Sequence, residues 1–388
     1  MLPDSLQTPD LRRLALHGIG LSKGLTLLSS AITLSTLSLT HIRASSYFSP
    51  GHLVKRLQGL SHLEELSIDF AIPIPLPSSE GELLTAPAPP VTLHNLRRLT
   101  FRGVGVYLDN LVAQINTPLL ERLTLALFFE LAFTLVNLAE YIYRTEKFGC
   151  LVARVIFNKG GASIDAGYDE QRDFGKLSLR VNCERLDWQI DSATQVCSAL
   201  RSVLSTVEEL ALDLDVDGMP SDWENTLDDL LWHELLLPFV GVKKLHIGSI
   251  LIVELSQALE SVVGGLVLQL LPELQEIEVQ AIQLEIDYAK EAFSVFVETR
   301  ESVGRPVHLL ASPIPHTEQE VPREDSDLPH EDPDLPGDDT EVPTAFLEDD
   351  MDYVDGPYRN RAIKLIYICR MFIQTQKQTF YSYDKLRR

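Results

Sequence analysis

Asp213-Leu-Asp215-Val-Asp217-Gly218-Met-Pro-Ser-Asp-Trp-Glu224 sets carboxylates at the first, third, fifth and twelfth places of one stretch, with glycine at the sixth. That is the donor spacing by which a calcium loop surrounds a hard cation with oxygen. Pro220 stands where such a loop holds an apolar residue, no second loop exists to pair with it, and the stretch continues an alternating run from Val207 to Leu212. The strand reading is favoured, and calcium stays open. Gly20-Leu-Ser22-Lys-Gly24 has the Gly-x-Ser-x-Gly spacing of a hydrolase elbow, which exposes a serine hydroxyl on a sharp strand-to-helix turn. Only one strand precedes it, whereas that elbow needs a sheet and an oxyanion loop already built, so a Gly-rich turn is expected. His233-Glu234 lacks the second histidine of a zincin helix, and neither GxxxxGK[ST] nor a GxGxxG after a strand occurs. Cys150, Cys183, Cys197 and Cys369 form no CxxC pair, which argues against a zinc site and against a disulfide-stapled fold. No catalytic residue, cofactor or metal is expected, and the chain is read as a non-enzyme.

The elements that would position such residues follow from a repeated phrase, apolar-x-x-apolar-x-apolar. It occurs as Leu11-Arg-Arg-Leu-Ala-Leu16, Leu34-Ser-Thr-Leu-Ser-Leu39, Leu63-Glu-Glu-Leu-Ser-Ile68, Leu96-Arg-Arg-Leu-Thr-Phe101 and Leu120-Glu-Arg-Leu-Thr-Leu125. It returns as Val207-Glu-Glu-Leu-Ala-Leu212, Val242-Lys-Lys-Leu-His-Ile247 and Leu274-Gln-Glu-Ile-Glu-Val279, with degenerate copies at Val152-Ala-Arg-Val-Ile-Phe157 and over 177–188. The last two apolar places alternate with polar ones, as a short strand with one buried face requires, and the first closes the turn before it. Helical spacing fills the intervals over 107–115, 131–143, 192–204 and 227–237. Ser192-Ala-Thr-Gln195 fits a capping box, and 288–303 is expected to form a terminal helix after the last strand. The expected fold class is α/β: an irregular leucine-rich-repeat-like solenoid, with a parallel sheet on its concave face and helices outside.

In such a repeat the residues flanking the apolar strand places make the exposed inner surface. The candidate partner-binding residues are Arg13, His17, Glu65, Asp69, Arg98, Arg102, Arg122, Glu209, Asp213, Lys244, His246, Glu276 and Glu278. Acidic and basic patches alternate along them, which suits a protein partner of mixed charge.

Of the 388 residues, 45% are hydrophobic and 23% charged, enough to bury a core along most of the chain. The net charge of −23 is uneven: residues 318–355 carry −15, residues 357–388 carry +7, and residues 1–317 carry the remaining −15. An acidic body repels phosphate backbones, so no nucleic-acid partner is expected. Residues 313–356 add seven prolines to the acidic run and read as a disordered linker. Residues 357–388 form a basic, apolar tail that could lie on an anionic membrane, dock back on the repeats, or reflect a faulty gene model. Residues 123–139 are too interrupted to cross a bilayer and read as a buried strand followed by a buried helix. With no basic and apolar leader at Met1 and no Asn-x-Ser/Thr sequon, an intracellular place, cytoplasmic or nuclear, is expected.

Four phrases carry a resemblance: Leu63-Glu-Glu-Leu-Ser-Ile68, Tyr107-Leu-Asp-Asn-Leu-Val-Ala-Gln-Ile-Asn-Thr-Pro-Leu-Leu120, Cys183-Glu-Arg-Leu-Asp-Trp188 and Trp232-His-Glu-Leu-Leu-Leu-Pro-Phe-Val-Gly-Val-Lys-Lys-Leu245. Over about residues 1–312 the chain resembles the divergent leucine-rich-repeat region of F-box-like proteins of mushroom-forming fungi. The resemblance implies a substrate receptor of a cullin-RING ubiquitin ligase, in which an F-box binds the Skp adaptor and the repeats choose the target. An F-box is a helical module far longer than the ten residues before Leu11, so that module is expected to be missing. The function expected from all of this is a protein-interaction scaffold. The alternatives are a ligase receptor with a lost or diverged F-box and a calcium module at 213–224.

Overall fold

The computed structural model describes residues 10–18, 31–73, 89–145, 148–167, 176–215, 229–260, 270–281 and 283–313. The chain divides into two units, 1–315 and 316–388, and every described residue belongs to the first. Nearly all of the acidic linker and the whole of the basic tail thus lie outside the described residues, as does the Gly20–Gly24 motif.

In chain order the first elements are β1 (Arg13–His17), β2 (Thr36–Ile42), α1 (Pro50–Leu57), β3 (Glu65–Phe70), β4 (Val91–Thr92), β5 (Arg98–Gly103), α2 (Gly105–Val112), β6 (Ile115–Asn116), β7 (Arg122–Phe128) and α3 (Val136–Arg144). Next come β8 (Val152–Asn158), β9 (Gly161–Ala166), β10 (Leu177–Asn182), α4 (Leu186–Ala199), α5 (Arg201–Leu204), β11 (Glu209–Leu214) and α6 (Asp229–Leu236). The last are β12 (Lys244–Gly248), α7 (Ile252–Glu260), β13 (Glu276–Ala281), α8 (Gln283–Ala292), α9 (Ser294–Ser302) and β14 (His308–Pro313). Twelve strands make one mostly parallel sheet, while β4 and β6 pair separately. Helices pack in succession along one face: α1 on α2, α2 on α3, α3 on α5, α4 on α6, α6 on α7, and α7 on α8.

The repeated phrase accounts for this arrangement residue by residue. Its first apolar place is buried in every full copy from the second onward: Leu34, Leu63, Leu96, Leu120, Val207, Val242 and Leu274 are each no more than 2% exposed. The amide of that residue donates to the carbonyl three residues earlier, as from Leu63 to Leu60 and from Leu96 to Leu93, and so closes the turn before the strand. The carbonyl at the second place then accepts two amides from the following strand. Glu64 O takes Arg97 N at 2.8 Å and Arg98 N at 3.0 Å, and Arg12, Ser35, Arg97, Leu151, Glu208 and Lys243 repeat that fork. Adjacent copies therefore stack in register, Leu66 beside Leu99 and Phe101 beside Leu125. Each such leucine contributes about 1.5–3 kcal/mol by leaving water.

Four features differ from the expectations. Between β7 and β11 the strand order runs β10-β9-β8, with β9 antiparallel to both neighbours. The sheet is thus not parallel throughout: an antiparallel meander sits in its middle, turned at Lys159-Gly160. The copy over 152–157 is framed two residues earlier, because Ala153 pairs with Leu210 and Val155 with Leu212, so Cys150 fills the first apolar place. Ser192 caps nothing: α4 begins at Leu186, and Ser192 is buried in its interior. Finally, β13 is not the last strand, since two helices lead on to β14.

Residues 123–139 supply β7 and the start of α3. No helix among the described residues is long and apolar enough to cross a membrane.

Candidate functional site: the solvent face of the sheet

Alternation along each strand sends one set of side chains into the core with the helices and the other set to the opposite face. In β5, Leu99, Phe101 and Gly103 are buried while Arg98, Thr100 and Arg102 are exposed. Pairing then aligns the outward residues into rows across the sheet. One row runs Arg13, Thr36, Glu65, Arg98, Arg122 and, beyond the meander, Glu209, Lys244, Glu276 and His308. A second runs Ala15, Ser38, Ser67, Thr100, Thr124, Ser178, Asp165, Arg154, Ala211, His246, Glu278 and Leu310. A third carries Asp69, Arg102, Ala126, Arg180, Ser163, Ile156 and Asp213, and His17 stands opposite Thr40 at its start. All thirteen candidate residues occupy outward places on this one face.

Most of the charges are paired with each other. Arg98 bonds Glu65 on the next strand, and Arg102 lies 3.8 Å from Asp69 while also covering the Phe128 ring. Arg154 reaches Asp213 at 2.8 Å. Lys244 Nζ lies 2.8 Å from Glu278 and 2.9 Å from Glu276, and its hydrogen bonds to the Glu278 and Glu276 carboxylates raise its pKa. His246 Nδ1 is 3.3 Å from Glu278. His17 donates to or accepts from Thr40 Oγ1 at 3.1 Å, and its ring stacks on His41. Among the described residues Arg13, Arg122, Arg180 and Glu209 make no ion pair. Around Thr100, Thr124 and Ser178 the face is basic, with Arg98, Arg102, Arg122 and Arg180; from β11 to β13 the acids predominate.

Arg154, Asp165 and Arg180 belong to this face and were not among the expected residues. The signal for Arg154 and Asp165 was present as two alternating runs, 153–157 and 162–166, separated by a glycine pair, which is a hairpin pattern. Reading the segment as one more parallel repeat hid it.

The other motifs fare differently. Asp213 ends an extended strand and is held by Arg154, and Asp215 N donates to Phe157 O at 2.8 Å, so a strand and not a helix leads into the calcium-like stretch. Its remaining positions, 216–224, lie outside the described residues, as does Trp223. Among the described residues no three His, Cys, Asp or Glu side chains are grouped as metal ligands. Trp232 is fully buried against Phe157, whereas Trp188 is half-buried, stacked on Phe129 with Arg185 over its ring. Burial pushes the Cys150 thiol up to about 11 and the Cys183 thiol up to about 12, and raises Cys197 as well, which makes all three poor nucleophiles. What the face offers chemically is a wide lattice of hydroxyls and both signs of charge. A scan against protein-family models and a search of curated proteins both find no match for this chain.

Proposed function

We propose that the chain is a non-enzymatic protein-interaction scaffold, built as a leucine-rich-repeat-like solenoid, and that it binds a protein partner with the solvent face of its sheet. The observation that supports this reading is the register, which brings polar side chains from twelve strands to one face while their apolar neighbours pack under the helices. A surface of that breadth, with basic residues grouped on β5, β7 and β10 and acidic ones on β11 and β13, suits a folded partner of mixed charge. The paired charges are already satisfied and contribute specificity by excluding mismatched partners. Arg122 and Glu209, two of the side chains without ion pairs among the described residues, are free to form new ones.

The test is affinity purification of the full chain beside an Arg122→Glu, Glu209→Arg variant, with partners identified by mass spectrometry and affinities then measured on the purified pair. Arg122 is half-buried and Glu209 exposed, and surface substitutions of this kind leave stability within about 0.5 kcal/mol. The expected result is a partner whose affinity falls at least about tenfold in the variant, the scale of losing one or two charge contacts. Equal affinity for both proteins would remove the sheet face from consideration. Recovery of a Skp adaptor and a cullin through the native chain would turn the scaffold into the substrate receptor of a ubiquitin ligase.

A further inference from the structure

Arg300 lies in α9 with no exposed surface. Its Nη2 donates to the carbonyls of Leu274, Pro272 and Leu271 at 3.0, 3.3 and 3.4 Å, stapling the turn that leads into β13. Within that turn Leu271 holds a φ of +47°. The staple uses one nitrogen only. Nε and Nη1 are buried as well and have no hydrogen-bond partner among the described residues.

Arg305 brings a second cation to the same place, its Nη1 donating to the Pro272 carbonyl at 2.8 Å. Two guanidinium groups thus share one carbonyl oxygen, and neither has a carboxylate within ion-pair distance among the described residues. Burial and then Arg305 lower the Arg300 pKa, with Glu273 opposing, yet a guanidinium stays charged in any protein. A buried charge left without a counter-ion is among the costlier arrangements a fold can hold. Both arginines line a cleft of about 510 Å³, whose wall includes His308 at the start of β14, Gln275, and one acid, Glu273.

We propose that this cleft binds the phosphoryl group of a phosphate ester. Arg305 and His308 donate to it directly, and the Arg300 guanidinium supplies fixed positive charge behind them. Two guanidinium groups against the single carboxylate of Glu273 leave the cleft with an excess of positive charge, which draws a phosphate monoester, at about −1.5 to −2, more strongly than a carboxylate. The cleft is open to solvent, which leaves room for the alcohol part of an ester beyond its phosphoryl group. This site lies at the turns before β13 and β14 and does not depend on the sheet-face reading.

The experiment is isothermal titration of the full chain with phosphoserine, inorganic phosphate and acetate at one ionic strength. It is repeated on Arg305→Gln and His308→Asn, both exposed positions whose replacement leaves the three Arg300 bonds to the turn in place. Saturable phosphoserine binding is expected, at least about tenfold tighter than acetate and weakened at least about tenfold in Arg305→Gln, as loss of a charge-assisted contact requires. His308→Asn should weaken it to a smaller extent. Inorganic phosphate binding as tightly as phosphoserine would overturn the ester and leave a free-phosphate site. Absence of saturable binding, or binding unchanged in Arg305→Gln, would overturn the site itself.

Discussion

Gly161 has a φ of +144°, and a Cβ built there would lie 1.9 Å from the Val181 carbonyl oxygen of the neighbouring strand. No side chain fits without separating β9 from β10. Gly161→Ala should therefore destabilise the protein by about 2–4 kcal/mol, read as a lower urea midpoint at unchanged m-value. A loss below about 0.5 kcal/mol would mean that the two strands are not so closely apposed. By contrast, the ion pairs between residues just before the strands, such as Lys243 with Glu208 or Arg97 with Glu121, join half-exposed side chains and are each worth about 0–1 kcal/mol. Core packing carries the stability, and Phe70, Phe101 and Tyr107, with Tyr47 and Phe48, meet in one aromatic cluster beneath the first strands.

Ser49 caps α1 locally, but the first turns of α2 and α3 are capped by other elements. The first amide of α2, from Gly105, donates to the Glu130 carboxylate in the loop after β7. Buried Asp109 of α2 in turn accepts from Leu138 N at 2.9 Å and Asn137 Nδ2 at 2.8 Å, both in the first turn of α3. Gln195 of α4 reaches back to accept from Phe133 N at 3.0 Å. Each contact ties one repeat to the next, and those to Gly105 N and Leu138 N satisfy amides that the helix itself leaves open. Burial holds the Glu130 carboxyl above the usual carboxylate range, with the Gly105 amide opposing. The folded state therefore binds this proton more tightly than the unfolded chain, so Glu130 favours folding as pH falls through its raised native value toward ~4.3, and disfavours it above. Glu254, likewise raised by burial, acts in the same direction. In thermal melts across this range, Glu130→Gln should match the native protein at low pH and exceed it at neutral pH. A native advantage at neutral pH would show that the hydrogen bond outweighs burial.

On the scale of the whole sheet, the meander joins two stacks of repeats. The chain leaves β7, passes two strand places to form β8, returns through β9, and lays β10 against β7 before α4 carries it back past the meander to β11. β7 and β11 are consequently held by strands that the chain forms out of spatial order, and neither stack can lose its inner strand without disturbing the meander. Hydrogen exchange of the full chain should find β7, β8, β9, β10 and β11 opening as one unit, slower than the terminal strands β1 and β14. Two stacks exchanging independently, with the meander opening first, would contradict that coupling.

Much of this was legible beforehand because it depends on neighbours in the chain. The apolar-x-x-apolar-x-apolar spacing already specified which leucines enter the core and which side chains, from Arg13 to Glu278, share the opposite face. Period-2 alternation is a property of the strand alone. It does not distinguish a parallel from an antiparallel neighbour, so Val152–Phe157 passed for an ordinary repeat although pairing moves its frame to Cys150. Long-range contacts alone decided the β10-β9-β8 order, the caps that Glu130 and Asp109 extend to other helices, and the ion pairs among the outward residues. The same holds for Arg300, which in sequence is one more basic residue on a terminal helix. Its burial, and its meeting with Arg305 at the Pro272 carbonyl, arise only when α9 folds back onto the turn before β13.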